Sequence, residues 1–130
     1  MVPAMALQTG LSAQVELVVG NDDLAPAIGS GVVDVLGTPR VIALCEQATV
    51  AATDGHLGDG EATVGTRIEI DHTRASSVGA SITAHAELSE VDGRRLVFAV
   101  NATDDGEVVA TGTISRLVID KQRFIDRLGS

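Results

Sequence analysis

The stretch that decides the fold is LGTPRVIALCEQATVAATDG, Leu36–Gly55. Threonine before proline is a helix-opening pair: threonine serves as N-cap, and proline suits the first helical turn. Asp54–Gly55 supplies a stop. The spacing predicts a helix from Thr38 to about Thr53. Its one clear polar strip is Arg40, Gln47 and Asp54, at i, i+7 and i+14. Val41, Ile42, Leu44, Cys45, Ala48, Val50, Ala51 and Ala52 make the rest apolar or small. Such a helix is expected to be buried on most sides. Glu46 lies about 100° around the helix from the Arg40/Gln47 strip, so it is not expected to be a solvated surface charge.

Outward from this helix the pattern changes to strands. Ala13, Val15, Leu17 and Val19 alternate ahead of it. A Gly-, Asp- and Pro-rich stretch, Gly20 to Gly37, reads as a loop that covers a pocket, with a short apolar piece at Val32, Val33 and Val35. After the helix and a Gly-rich turn, Val64, Thr66, Ile68, Ile70 and His72 fall on one face of a strand, with Gly65, Arg67, Glu69 and Asp71 on the other. Ile82, Ala84, Ala86 and Leu88 alternate with Ser81, Thr83, His85 and Glu87. Asp92–Gly93 and Asp105–Gly106 are hairpin signals. They frame strands at Leu96–Thr103 and Glu107–Ile119, and Lys121 to Leu128 has room for one or two turns of helix.

The order is therefore one strand, one long buried helix, then four antiparallel strands. An α+β architecture follows, with a curved sheet of about five strands wrapped around one central helix. That is the hot-dog fold, here as a single domain over residues 1–130. A sheet of this kind leaves an edge strand and part of the helix open, so a homodimer is expected.

Composition sets the outer limits. The 130 residues are 45% hydrophobic, with two Phe and no Trp or Tyr, so the core must be aliphatic. Eighteen acidic and nine basic residues give a formal charge of −9. Nucleic acid is not an expected partner, because phosphate neutralisation needs a basic surface. Cys45 is the only cysteine and forms no intrachain disulfide, in keeping with a reducing cytoplasm. The start, MVPAMALQTG, has neither a basic opening nor a long apolar run and does not read as a signal peptide. No apolar run approaches the roughly 20 residues that span a bilayer, so no membrane association is expected. His56, His72 and His85 lack metal-ligand spacing, and GDGEATVG lacks the GK[ST] ending of a phosphate loop. No metal and no separate cofactor are expected. His56 reads as solvated in a turn, and Cys45 as a small core residue.

Three polar residues stand out against this background: Thr38, Glu46 and His72. A carboxylate and an imidazole aimed at one apolar layer are costly unless paired or chemically used. The run LGTPRVIALCEQA (Leu36–Ala48), followed by VGTRIEIDHTRAS (Val64–Ser76), resembles the fluoroacetyl-CoA thioesterase family of hot-dog hydrolases. The likeness extends to EVDGRRL (Glu90–Leu96) and ATGTISRLVI (Ala110–Ile119). In that family a threonine before the central helix, a glutamate within it and a histidine on the following strand form the catalytic set. The matching positions are Thr38, Glu46 and His72, at the family's separations of 8 and 26.

The resemblance implies hydrolysis of an acyl-CoA thioester, with coenzyme A present as part of the substrate. Glu46 would be the nucleophile or the general base, with His72 and Thr38 beside it. It also implies a contact from Gly65 to the acyl carbonyl and places Arg116 on the active-site side. Arg67, Arg74, Arg94, Arg95 and Arg116 are the candidate cations for coenzyme A phosphates. The family's phenylalanine gate is missing: Ala25–Gly37 holds no aromatic residue, and Gly29 and Val32 stand in the corresponding places. Val32 is thus a candidate pocket residue, and the acyl group is left open. The alternative is a non-catalytic hot-dog module that binds an acyl-CoA or another apolar ligand. Eight helical residues span about 12 Å, so Thr38 and Glu46 of one chain cannot bond directly. Either His72 and the substrate bridge them, or one site combines residues of two protomers; an active site at a dimer interface is the expectation carried forward.

Overall fold

In the computed structural model, residues 7–129 are described. The start of the chain read above for a leader, residues 1–6, lies outside the described residues.

Strand β1 runs Ser12–Val18, helix α1 Thr38–Thr53, and strands β2 to β5 run Glu61–His72, Ser81–Asp92, Arg95–Asp104 and Glu107–Asp120. A short helix, α2, Lys121–Leu128, ends the order. The strands form one antiparallel sheet in the order β1-β3-β4-β5-β2, so β1 and β2 are its edges. The hot-dog architecture expected from the element order is the one observed.

The core sits between α1 and the sheet. Val41, Leu44, Cys45, Ala48, Thr49, Ala52 and Thr53 are the buried helix positions, at i, i+3, i+4, i+7, i+8, i+11 and i+12. They meet Ile82, Ala84, Ala86 and Leu88 of β3, and Leu96, Phe98, Val100 and Ala102 of β4. Alanines on both surfaces let helix and sheet approach closely. The hairpin β4–β5 turns through Asp105 and Gly106, with φ of 51° and 79°. Two consecutive positive-φ residues match the right-handed twist of the flanking strands.

Two expectations need correction. The helix is not buried on most sides: Ile42 and Glu46 are half-buried, and Val50 is 49% exposed. That stripe, at i, i+4 and i+8, is left partly open within one chain. Second, β2 does not keep a single alternation from Val64 to His72. Its register against β5 shifts between Gly65 and Arg67, leaving Thr66 as the extra residue of a bulge. Gly65 lies opposite Arg116, Ile68 opposite Ile114, and His72 opposite Ala110. Directly paired residues point to the same side of a sheet. Arg116, Ile114 and Ala110 all face inward. The bulge therefore moves Gly65 from the outer face to the inner one, the face that carries His72.

Candidate active site

The residues singled out from the sequence gather in two clusters along the inner face of β2. The first is at the start of α1. Gly37 is the N-cap: its carbonyl accepts from the N–H groups of Arg40 (3.0 Å) and Val41 (3.2 Å). Thr38 is already the first helical residue, and no side chain caps the helix. The expected capping role of Thr38 is not observed. Its hydroxyl is instead 2.8 Å from Nδ1 of His72, the last residue of β2. Glycine is an adequate N-cap, which releases the threonine hydroxyl for this contact. The pairing leaves His72 Nε2, a buried atom, without a hydrogen-bond partner. With Nδ1 engaged, Nε2 is the ring nitrogen left without a bond.

The loop expected to cover a pocket does so. A cavity of about 330 Å³ is bounded by Val32, Val33, Gly37, Thr38, His72 and Thr73, among others. Val32 is 93% exposed, so it stands at the rim rather than in the wall. The loop is tied down at both ends. Asp23 accepts from Arg40 Nε at 2.9 Å and, through its backbone carbonyl, from the Gly37 N–H at 2.9 Å. The Leu36 N–H donates to the Ser76 carbonyl at 2.9 Å.

The second cluster is two turns further along α1. Arg116 Nη1 donates to Glu46 Oε2 at 3.2 Å. Arg116 Nε donates to Thr63 Oγ1 at 2.8 Å, and Nη2 to the Thr63 carbonyl at 3.0 Å. The Arg116 side chain is only 8% accessible, while that of Glu46 is 35% accessible. Burial lowers the Arg116 pKa from its ordinary value, opposed by the charge and hydrogen bond of Glu46. A side chain at Gly65 would collide with this cluster: its Cβ would stand 2.8 Å from Glu46 Oε2 and 3.5 Å from Arg116 Nη1. Glycine here gives the Glu46 carboxylate room for its close approach and is not needed for backbone conformation.

The arginines expected to meet phosphates are all beside carboxylates. Arg67 contacts Glu69 and Arg74 contacts Glu107; Arg94 lies 3.8 Å from Glu61 and Arg95 3.3 Å from Glu90. Arg116 is not an open cation but an internal one. Cys45 is buried, and burial pushes its thiol up to about 11, so it is a protonated core residue at neutral pH. His56, read as solvated, is half-buried, and its Nδ1 lacks a partner. Thr63 was not anticipated from the sequence. The Gly65–Thr66 pair inside a strand was the available signal, since an isolated strand glycine marks a bulge or a close approach.

Within one chain the two clusters stay apart. Glu46 lies against Gly65, and Gly65 is seven residues from His72 along β2, roughly 20 Å at about 3.3 Å per residue. Thr38 and His72 meet; Glu46 and His72 of the same chain do not.

Known proteins give this geometry a context. Residues 19–122 match the fluoroacetyl-CoA-specific thioesterase family. The fluoroacetyl-CoA thioesterase of Streptantibioticus cattleyicolor is 38% identical over 91 residues, covering 70% of this chain and 66% of that protein. The solved structure of the fluoroacetyl-CoA thioesterase FlK superposes with a TM-score of 0.89 at 29% identity, covering 95% of this chain and 96% of that one. A variant of FlK in complex with fluoroacetate and CoA superposes with a TM-score of 0.83 at 31% identity, covering 91% and 99%. By the length of the family match and by this identity, the chain belongs to the fluoroacetyl-CoA-specific thioesterase family.

Proposed function

We propose that this protein hydrolyses the thioester of a small acyl-CoA, giving a carboxylic acid and free coenzyme A, with Glu46, His72 and Thr38 as the reacting set. The observation that carries the proposal is the bulge at Thr66. It sets Gly65, against which Glu46 lies, and His72 on one face of one edge strand.

The chemistry divides between the two clusters. Glu46 supplies the attacking oxygen, either its own or that of a water whose proton it takes. The carbonyl carbon gains a C–O bond and then loses its C–S bond; where Glu46 itself attacks, the acyl–Glu46 anhydride so formed is cleaved by water, which releases the acid and restores the carboxylate. The leaving thiolate takes a proton from His72, whose ring Thr38 holds through Nδ1. The Thr38 N–H, at the positive end of α1, is the first-turn donor available to the developing oxyanion, since Pro39 has none. These groups supply attack, protonation and charge stabilisation without a separate cofactor. The relative named as a fluoroacetyl-CoA thioesterase and the FlK complex with fluoroacetate and CoA support a small acyl group. The absence of aromatic residues from Ala25–Gly37 argues for tolerance of acyl groups besides fluoroacetyl.

The complete site requires two copies of the chain. Strand β2 is a twelve-residue sheet edge, an open template for pairing. A two-fold antiparallel pairing centred on Glu69 sets Ile68 opposite Ile70 of the partner subunit. It also sets Arg67 opposite Asp71 of the partner subunit, and the Gly65–Thr66 bulge opposite His72 of the partner subunit. Apolar meets apolar and Arg67 meets an opposite charge, while the Glu69 side chains that meet at the two-fold axis each keep their contact with Arg67 of the same chain. The Glu46 of one protomer then faces the imidazole of the other, and the exposed Val50 stripe gains cover. Among the described residues no helix is long and apolar enough to cross a membrane, and a cytoplasmic location suits the unpaired, buried Cys45.

The test is thiol release across short, branched and aromatic acyl-CoAs, with Glu46→Gln and His72→Ala beside the unaltered protein. Each variant is expected to lose at least about 100-fold in rate, a general acid–base contribution. Turnover by none of the substrates, with retained acyl-CoA binding in all three proteins, would establish the binding-module alternative instead.

A further inference from the structure

The Arg116 guanidinium raises a question that the reaction alone does not answer. It is almost completely enclosed, yet charged, and such a group is retained only when its hydrogen bonds are met. Three of its donors are used, and two of them go to a single residue, Thr63. Thr63 accepts at both its hydroxyl and its backbone carbonyl, so it fixes the plane of the fork and not merely its position. The remaining bond goes to one carboxylate oxygen of Glu46, Oε2. No donor of the described residues reaches Oε1. The Gly65 backbone closes the space beside Oε2, where even a Cβ would be too near.

We propose that Thr63 and Arg116 are positioning residues: Thr63 orients the guanidinium, the guanidinium holds Glu46 Oε2 against Gly65, and Oε1 is left as the oxygen that acts on the thioester. The inference rests on Glu46 being the reacting carboxylate. Arg116 then contributes to the rate by keeping the carboxylate in one rotamer rather than by gripping a phosphate. A lysine at this position would lack the planar fork that Thr63 grips.

Removing Arg116 risks the fold, because it leaves a polar hole in the interior. Thr63→Val is the informative change, since it keeps the shape of the side chain and deletes only the hydroxyl. With the acyl-CoA turned over fastest by the unaltered protein, Thr63→Val is expected to lower kcat roughly 10-fold, the worth of one hydrogen bond to a charged group. KM should stay within about two-fold, and Thr63→Ser should restore kcat to within about two-fold of the unaltered protein. In a Glu46→Gln background the valine should cost no more than about two-fold further, because the residues act as one unit.

An unchanged kcat in Thr63→Val would overturn the inference. So would a raised KM at constant kcat, which would assign Arg116 to substrate binding. Failure of serine to restore kcat would make Thr63 a packing residue. Full activity of Glu46→Gln by itself would instead remove the reading on which the inference stands, an outcome separate from the Thr63 results.

Discussion

The two ends of the inner face of β2 handle polar groups in opposite ways. At the His72 end, a neutral hydroxyl and an imidazole share one 2.8 Å contact beside a cavity, and the far ring nitrogen has no partner. At the Gly65 end, a carboxylate is held by an enclosed guanidinium that is itself gripped twice by Thr63. The first arrangement leaves one ring nitrogen without a bond. The second fixes where an oxygen sits. Proton transfer needs a ring whose charge can change, whereas attack on a carbonyl carbon depends on placement. On the proposed mechanism, His72 at the first end passes a proton to the leaving thiolate, and Glu46 at the second is held in place for the attack.

The largest expected effect comes from disturbing placement. Gly65→Ala puts a methyl group 2.8 Å from Glu46 Oε2. The side chain can swing aside at little cost to the fold, since the atom displaced is the far end of a flexible chain. Misplacement on the order of 1 Å is enough to lower kcat about 100-fold. Steady-state kinetics beside a thermal melt would show it: a large loss in kcat with an almost unchanged melting temperature. A loss of stability in proportion to activity would mean that Gly65 serves the strand rather than the carboxylate.

The second test asks whether the two ends belong to one chain or two. Glu46→Gln and His72→Ala proteins, each nearly inactive, are mixed after unfolding and refolded together. If each site joins Glu46 of one protomer to His72 of its partner, half of the dimers carry one intact site of two. Activity then returns to about 25% of the unaltered protein. If both residues act within one chain, mixing restores nothing.

A smaller effect distinguishes the two readings of Thr38. A capping threonine would cost about 1 kcal/mol of stability when replaced by valine. Here the hydroxyl faces His72 and caps nothing. Thr38→Val is therefore expected to cost less than about 0.5 kcal/mol by denaturant unfolding, yet to lower kcat roughly 10-fold through the lost hydrogen bond. Thr38→Ser should retain most of the rate.

The elements were easier to read from the sequence than the contacts between them. The bounds of α1, Thr38–Thr53, follow from Thr-Pro at one end and Asp-Gly at the other, both local signals. The inner face of β3, Ile82 to Leu88, follows from unbroken alternation. The parity of β2 did not, because one extra residue at Thr66 reverses every inference drawn across it. Capping by Thr38 was locally plausible, but Gly37 took that position, and a histidine 34 residues away claimed the hydroxyl. Arg116 was placed on the site side by resemblance, yet nothing in ATGTISRLVI indicates that its charge is enclosed and spent on Glu46 and Thr63.

By itself, the sequence determined the element order, a core aliphatic apart from Phe98, and the identity of the polar residues worth testing. Periodicity, turn residues and caps act over a few positions and leave their mark in the residue string. Only the tertiary structure decided which of those polar residues meet. Thr38 finds His72, Glu46 finds Arg116, and both pairs end on one face of the sheet, because sheet register and helix packing join positions 34 and 70 residues apart. Register depends on a bulge that no short window of sequence specifies. The same edge strand leaves the two pairs apart within one protomer, which is why the proposed site draws on a second copy of the chain.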